Sequence, residues 1–302
     1  MKYQPPTVDG VSPSALALPG GSWPLLLDYR AHRLPFVSRS EWAQRMAMGD
    51  VLDDQGHPLR TESPYKPHSK VYYYRRLSQE APIPFEESVL FQDDYLVVAD
   101  KPHFLPVTPS GRYVQETLLV RLKRKLGIDT LTPMHRIDRD TSGLVLFSIR
   151  PDTRAAYQQL FRDKTIRKHY EAIAPRCDTL TWPVTHRSRL QESAQFMAME
   201  EVPGAPNAET LIDVIEHRGH LSRYSLQPIT GQKHQLRAHM SALGLPIVGD
   251  LIYPVLQPDG IPDYTRPLKL LAKSVAFTDP VTGQLRQFET QRQLDWPADS
   301  NP

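Results

Sequence analysis

The sequence contains strand-like and helix-like segments, which is compatible with an α+β fold. Short apolar runs bounded by turn residues, such as Val89 to Phe91 and Leu144 to Phe147, are typical of buried strands. Apolar residues recur at helical spacing between Tyr113 and Leu126, which indicates an amphipathic helix. The chain therefore contains both kinds of element.

The composition limits the class of protein. The 302 residues suffice for one large domain or two smaller ones, and the single cysteine, Cys177, excludes an internal disulfide and favours a reducing compartment. The chain contains neither a run of about 18 apolar residues nor a secretory signal at its start. We expect a soluble, cytoplasmic monomer, and the net charge of only +2 means that any nucleic-acid binding must come from local clusters of basic residues.

The amino-terminal part predicts an extension followed by a small domain. Residues 1–20 are rich in proline, glycine and serine, so we expect them to be flexible. Within residues 21–80, Ser38 and Glu41 form a capping-box pair that begins a helix, and Gly49 ends it. Val71 to Tyr74 has the composition of a closing strand.

A larger domain is predicted for residues 81–302. The two runs Val89 to Phe91 and Tyr95 to Ala99 flank a polar turn, as in a hairpin, and Lys101-Pro102 follows. The helix from Tyr113 ends at Gly127. The basic residues of this helix fit either a face exposed to solvent or a face that contacts the RNA backbone, and the sequence leaves both interpretations open. They are Arg121, Lys123, Arg124 and Lys125.

The most unusual stretch is PMHRIDRDTSGLVLF, residues 133–147. Five ionisable groups fall within six residues before a small-residue turn and an apolar strand. A carboxylate between arginines beside a buried strand is suited to reactive chemistry, because burial and positive neighbours together tune it. The same pattern also fits an arginine–aspartate network that only ties a loop to the core. The residue pattern alone leaves both open.

The second half alternates strands and helices. We predict a helix from Asp152 to about Phe161 and a strand from Glu171 to Ala174. Two alternating strands, Thr210 to Val214 and Ser222 to Leu226, precede a further helix. Thr230 is the expected amino-terminal cap of that helix, and Gly244 ends it.

The motif HRIDRDTSG closely resembles the H-R-L-D-x-x-T-S-G signature of RluA-type pseudouridine synthases. In that family the aspartate, here Asp138, is catalytic, and the arginine at Arg136 helps to displace the target base. A lysine-x-tyrosine element matches Lys168 and Tyr170, and implies that the tyrosine lies on or beside that base. The segment from Thr230 to Met240 resembles the family's T-G-R-x-H-Q-I-R-x-H-L element, with Gln232 and Lys233 as departures.

The resemblance implies an α+β catalytic domain with a central, mainly antiparallel sheet crossed by a catalytic cleft. Residues 21–80 resemble the small S-four-type RNA-binding domain, although a packing subdomain without RNA contacts is the competing interpretation. Arg237 is expected to pair with Asp138 through a two-pronged contact. Asp138, Tyr170 and Arg237 form the expected catalytic set. The residues expected to contact RNA or flip the base are His135, Arg136, Arg139, Lys168, Lys233, His234, Arg39 and Arg45.

The expected function is isomerisation of uridines in ribosomal or transfer RNA to pseudouridine, without a cofactor or metal. Asp138 would add to the sugar or to carbon 6 of uracil, or would remove the 2′ proton, and the sequence does not choose between these. Two alternatives belong to other classes. One is a catalytically inactive RNA-binding protein of the same fold, and the other is a hydrolase with an aspartate nucleophile, for which no second acid–base group or metal site is recognisable in the sequence.

Overall fold

The computed structural model describes residue 3 and residues 5–35, 37–77, 79–194, 197–258 and 263–297. These residues form two units. The first comprises Met1–Ala81 and Thr108–Asp129, and the second comprises Pro82–Val107 and Thr130–Pro302.

The first unit is a small sheet with three helices. Its elements are β1 (Ser14–Ala17), α1 (Leu26–Arg33), α2 (Arg39–Ala47), β2 (Val51–Leu52), β3 (Lys70–Tyr73) and α3 (Leu118–Leu126). The strands are antiparallel in the order β1-β3-β2. The Ser38 hydroxyl accepts the Glu41 N–H at 3.1 Å, which confirms the predicted cap of α2.

Strand β1 lies where a flexible extension was expected. Ala15 and Leu16 pair with Tyr72 and Val71 of β3, and Leu16 packs against the core of this unit. The proline- and glycine-rich composition of residues 1–20 misled the prediction, because four residues of alternating burial are enough to complete a small sheet.

Helix α3 is shorter than predicted and belongs to the first unit. The Glu80 carboxylate accepts the backbone N–H groups of Val114, Gln115 and Glu116, so this turn stays outside the helix. The Thr117 hydroxyl then caps α3. Val114 and Val120 pack on Val11, a long-range contact that the predicted boundary at residue 81 did not anticipate.

The second unit is built on an eleven-stranded sheet with two helices. Its elements are β4 (Ser88–Gln92), β5 (Leu96–Lys101), β6 (Thr132–Pro133), β7 (Ser142–Ser148), α4 (Arg154–Arg162), β8 (Arg167–Pro175), β9 (Val184–Glu192), β10 (Met199–Val202), β11 (Ala208–Arg218), β12 (Leu221–Pro228), α5 (Gln235–Ala242), β13 (Leu270–Thr278) and β14 (Leu285–Glu289). The main path is β10-β9-β11-β12-β8-β13-β7-β5-β4, with β14 on β13 and β6 on β7.

Every strand pair of this sheet is antiparallel except β7 with β13. This confirms the predicted α+β fold with a mainly antiparallel sheet. Strands β5 and β7 are buried along their whole length, as their continuous apolar runs predict.

Gly143 fixes the beginning of β7. Its φ is +105°, and a Cβ there would lie 2.3 Å from the Ala272 carbonyl oxygen of β13. Only glycine permits both this backbone conformation and this approach. The Thr-Ser-Gly turn therefore joins the loop that carries Asp138 to the middle of the sheet. No helix in the described ranges is long and apolar enough to cross a membrane.

Candidate active site

The loop between β6 and β7 carries Asp138 and is held by the segment that follows β5. The buried Lys101 ammonium donates to the carbonyl oxygens of Pro102, Leu105 and Arg139 at 2.8–2.9 Å. The His103 Nδ1–H donates to the Asp140 carbonyl at 2.7 Å. Two side chains thus bind the backbone on the carboxyl side of Asp138, which leaves little freedom for the loop.

Burial determines the titration of both side chains. It lowers the pKa of Lys101 to about 7, although the Asp140 and Asp138 carboxylates favour the ammonium. It lowers the pKa of His103 to about 4, so this imidazole is neutral at pH 7 and has a defined tautomer. Lys101 ends a buried strand, and the Lys-Pro pair after the predicted hairpin is the sequence signal for it.

We expect Lys101→Met to destabilise the protein by about 3 kcal/mol or more, because three buried carbonyl groups would lose their donor. Urea unfolding measures this loss. Lys273→Met is the matched control, since its ammonium pairs with Glu289 near the surface and should contribute about 1 kcal/mol or less. Equal stability of the two variants would show that Lys101 does not hold the loop.

Asp138 is the most exposed member of a row of three charged side chains. Its side chain is 27% exposed, whereas those of Arg237 and Asp250 are 2% and 0% exposed. Arg237 NH1 donates to Asp138 Oδ2 at 3.2 Å. Arg237 Nε and NH2 donate to Asp250 Oδ2 and Oδ1 at 2.8 and 2.6 Å. One guanidinium therefore joins a buried carboxylate to one that reaches solvent.

The two-pronged contact was predicted for the wrong carboxylate. Arg237 does meet Asp138, but it gives Asp138 one hydrogen bond and gives both prongs to Asp250. Asp250 also accepts the N–H groups of Ile252 and Tyr253, so the backbone holds this carboxylate in place independently of the arginine. Burial alone would lower the pKa of Arg237, but the hydrogen bonds and charge of Asp250, with Asp138 adding to them, raise it.

The turn before α5 positions Arg237 and His234. Helix α5 begins at Gln235, and its cap residue is His234 instead of the predicted Thr230. The Gln235 amide oxygen accepts from Thr230 Oγ1 and the Gln232 N–H, and its nitrogen donates to the Glu209 carbonyl. Because Thr230 Oγ1 also accepts the Glu209 N–H, it binds this turn to β11 instead of capping the helix.

His234 lies beside Asp138 with an unusual backbone. Its φ is +53°, in the left-handed region that side chains other than glycine rarely adopt. The ring is buried, with Nε2 3.8 Å from Asp138 Oδ1 and Nδ1 3.4 Å from the Tyr253 hydroxyl. Burial lowers the pKa of His234, and the Asp138 charge opposes this effect.

Lys168 and Tyr170 lie near the same end of β8. Tyr170 is half-buried, and desolvation, with the Asp138 charge adding to it, raises the pKa of its hydroxyl. The tyrosine is therefore a neutral ring close to the carboxylate. Its position on or beside the target base stays a prediction. The Lys168 ammonium donates to the Thr230 carbonyl at 3.0 Å, and burial lowers its pKa to about 8.

The three other predicted site residues of the HRIDRDTSG motif differ in their surroundings. His135 accepts the Leu146 N–H at its Nε2 and stacks on Phe161, and burial lowers its pKa to about 3. This neutral, packed ring holds the loop, and we withdraw its predicted RNA contact. Arg139 binds the Asp140 carboxylate through Nε and NH2. Arg136 is exposed and has no hydrogen bond or ion pair with a described residue.

Three further predicted RNA-binding residues are paired with acids. Arg39 donates to Asp28, and Lys233 lies 3.3 Å from Glu192 while remaining exposed. Arg45 donates to Glu41 at 2.7 Å and stacks on Trp42 with only 11% of its side chain exposed. A guanidinium that is covered and neutralised in this way is poorly placed for phosphate, which corrects the expectation for Arg45.

The structure also gathers three residues that could ligate a metal ion, a grouping that the sequence did not reveal. His186, Glu201 and His239 each place one ligand atom within 4.8 Å of the others. His186 Nε2 is already 2.7 Å from Glu201. The two ring nitrogens of His239 lie 3.1 and 2.9 Å from the Ser188 and Thr210 hydroxyls. We interpret these contacts as a network that packs α5 against β9 to β11.

Comparisons with known proteins are consistent with this geometry. A family model described as RNA pseudouridylate synthase matches residues 95–242, which include Asp138, Tyr170 and Arg237 but not Asp250. The dual-specificity RNA pseudouridine synthase RluA of Pasteurella multocida is 32% identical over 211 residues, covering 66% of this chain and 90% of that protein.

Two other matches cover a smaller part of the relative or share fewer identical residues. The mitochondrial tRNA pseudouridine(32) synthase of Saccharomyces cerevisiae is 31% identical over 169 residues, covering 55% of this chain and 36% of that protein. The solved structure of human RNA pseudouridylate synthase domain containing 1 has a TM-score of 0.57 at 20% identity, covering 71% of this chain and 86% of that one. The structural match concerns the fold alone.

Proposed function

Because the chain belongs to the RluA-type RNA pseudouridine synthase family, we propose that it converts uridines of transfer or ribosomal RNA to pseudouridine with Asp138 as the catalytic carboxylate. The family isomerises uridine to pseudouridine, and this chain is an enzyme of that kind. The observation that carries the assignment of Asp138 is its position: a partly exposed carboxylate, bound by an arginine that a buried aspartate holds in place.

The reaction breaks the bond from C1′ of the sugar to N1 of uracil and joins C1′ to C5 of the same base. It transfers no electrons to or from another molecule. Asp138 serves either as a nucleophile, at the sugar or at carbon 6, or as the base that removes the 2′ proton. Arg237 orients the carboxylate, since the two prongs on Asp250 leave NH1 directed at Asp138.

The target uridine must leave its stack before Asp138 can reach it, and this costs a few kcal/mol. We assign the displacement to Arg136, which is exposed on the Asp138 loop and unpaired within the described ranges. Tyr170 is assigned to stacking on or beside the flipped base, because its neutral ring lies near the carboxylate. Lys168 supports the turn that carries His234.

The names of the relatives suggest which RNA to test first. The yeast relative is named for position 32 of transfer RNA, and the Pasteurella relative for dual specificity. We therefore propose a transfer-RNA anticodon loop as the first substrate and ribosomal RNA as the second.

The test incubates purified protein with unmodified transcripts of transfer RNA and of ribosomal RNA, and maps pseudouridines by chemical labelling. Pseudouridine at defined positions with the wild type, and none with Asp138→Asn, supports the proposal. Specific RNA binding without pseudouridine would instead favour the non-catalytic RNA-binding protein, and would contradict the proposed function.

RNA affinity supplies a further prediction. Arg124 and Lys125 are exposed on α3, and we expect Arg124→Gln/Lys125→Gln to weaken RNA binding and to reduce the slope of log Kd against log salt by about 1 to 2. Arg150→Gln is the control, because its guanidinium binds Asp152 and was not assigned to the RNA interface. Filter binding at several salt concentrations measures both. Identical slopes for all three proteins would exclude α3 from the RNA interface.

A further inference from the structure

His234 has a free ring nitrogen directed at the carboxylate. Its Nε2 lies 3.8 Å from Asp138 Oδ1, which is too long for a hydrogen bond, and it has no other hydrogen-bond partner within the described ranges. An oxygen atom of a nucleotide bound beside Asp138 can lie within hydrogen-bond distance of His234 Nε2. The nitrogen is therefore available to a bound nucleotide.

The surroundings of the ring determine which nitrogen carries the proton. The Tyr253 hydroxyl accepts the Met199 N–H at 2.7 Å, so its own proton is free to be donated to His234 Nδ1 at 3.4 Å. Burial lowers the pKa of His234 and so favours the neutral imidazole. The charges of Asp138 and Asp250 oppose this effect, and the charges of Arg237 and Lys233 add to it. A neutral ring that accepts at Nδ1 has an N–H group at Nε2.

The backbone holds this donor in place. A left-handed residue other than glycine costs about 1–3 kcal/mol and persists only where its neighbours impose it. Gln235 imposes it here, because its side chain binds Thr230 and Gln232 on one side and the Glu209 carbonyl on the other. Strained residues of this kind are concentrated at active sites.

We propose that His234 donates a hydrogen bond from Nε2 to the uracil as it leaves the sugar. This inference rests on the proposed function. When the C1′–N1 bond breaks, its electron pair stays with uracil, and the negative charge spreads to the ring oxygens. The neutral N–H stabilises that charge and keeps its proton. C5 of uracil later loses one proton and N1 gains one, so the isomerisation neither consumes nor releases a proton.

The test compares two leaving groups in single-turnover reactions. The substrates are anticodon stem-loop transcripts with uridine or 5-fluorouridine at the position that the wild type modifies. Fluorine stabilises the departing anion, so its departure depends less on an N–H donor. Because 5-fluorouridine has no C5 proton to lose, cleavage of the C1′–N1 bond is the step measured for both substrates. His234→Phe should slow loss of uridine by about 10²-fold, the usual effect of removing one such donor, and should slow loss of 5-fluorouridine several-fold less.

Two further variants separate chemistry from structure. His234→Gln retains an amide donor and should recover most of the rate that His234→Phe loses. His217→Phe is the control, because that exposed ring binds Ser222 beside the turn between β11 and β12 and takes no part in the Asp138 site. Its rates on both substrates should equal those of the wild type, and the Kd for RNA should be the same for all variants.

Each outcome either supports or overturns the donor role of His234. A larger loss on uridine than on 5-fluorouridine, with rescue by glutamine, supports the donor role. Equal losses on both substrates would show a structural role, and a change in Kd alone would return His234 to the RNA-contacting residues. If the wild type turned over neither substrate, the proposed function would fail and this inference with it. Turnover by the wild type with equal losses in His234→Phe overturns this inference only.

Discussion

Asp138→Asn is expected to abolish pseudouridine formation while the protein remains folded. The amide has the shape of the carboxylate but neither adds to the substrate nor accepts a proton, and loss of such a group costs about 10⁴-fold or more in rate. Arg237 would lose one hydrogen bond to a charged group but keep both bonds to Asp250, so the buried part of the site should stay intact. Single-turnover rates and thermal unfolding measure the two effects.

Asp140→Asn is the control for this substitution. Asp140 lies two residues away on the same loop, but its carboxylate binds Arg139. We expect this variant to retain activity within about tenfold, since it loses a partly exposed ion pair and one of the two charges that favour the Lys101 ammonium. If Asp138→Asn retained a tenth of the wild-type rate, the assignment of the catalytic carboxylate would be wrong.

Local patterns predicted the elements of this protein better than its long-range contacts. The charged loop followed by a buried strand was readable because the turn residues and the apolar run of β7 are adjacent in sequence. The hairpin of β4 and β5 was predicted for the same reason. Helix α3 was recognised, but its membership in the first unit depends on Val11, about a hundred residues earlier, and no local signal reports that contact.

The active site shows the same limit. The resemblance brought Asp138, Tyr170 and Arg237 together, whereas no motif singled out Asp250. Asp250 orients Arg237 from a turn in which its carboxylate also accepts two backbone N–H groups. Lys101 was likewise noted only as part of a motif, because the three carbonyl groups it binds come from two separate segments.

The second large effect is expected for the arginine that serves both carboxylates. Arg237→Lys retains the positive charge, but a single ammonium cannot reproduce two prongs on Asp250 together with a bond to Asp138. We expect the single-turnover rate to fall by about 10²-fold, because a carboxylate held less firmly is less often in the reactive position. The Kd for RNA and its salt dependence should barely change, because the Arg237 guanidinium is buried and therefore not exposed to RNA phosphates.

Asp250→Asn separates the orienting role of Arg237 from its charge. The new amide N–H group would face an N–H group of Arg237, and two donors repel each other. The buried guanidinium would also lose the charge of Asp250. We expect a loss of stability of about 3 kcal/mol or more and a rate close to that of Arg237→Lys. In Arg237→Lys/Asp250→Asn the losses of rate should not add, because both substitutions break the same support of Asp138. Fully additive losses would show that Asp250 does not act through Arg237, and a salt-dependent loss of RNA affinity in Arg237→Lys would place the arginine on phosphate instead of on Asp138.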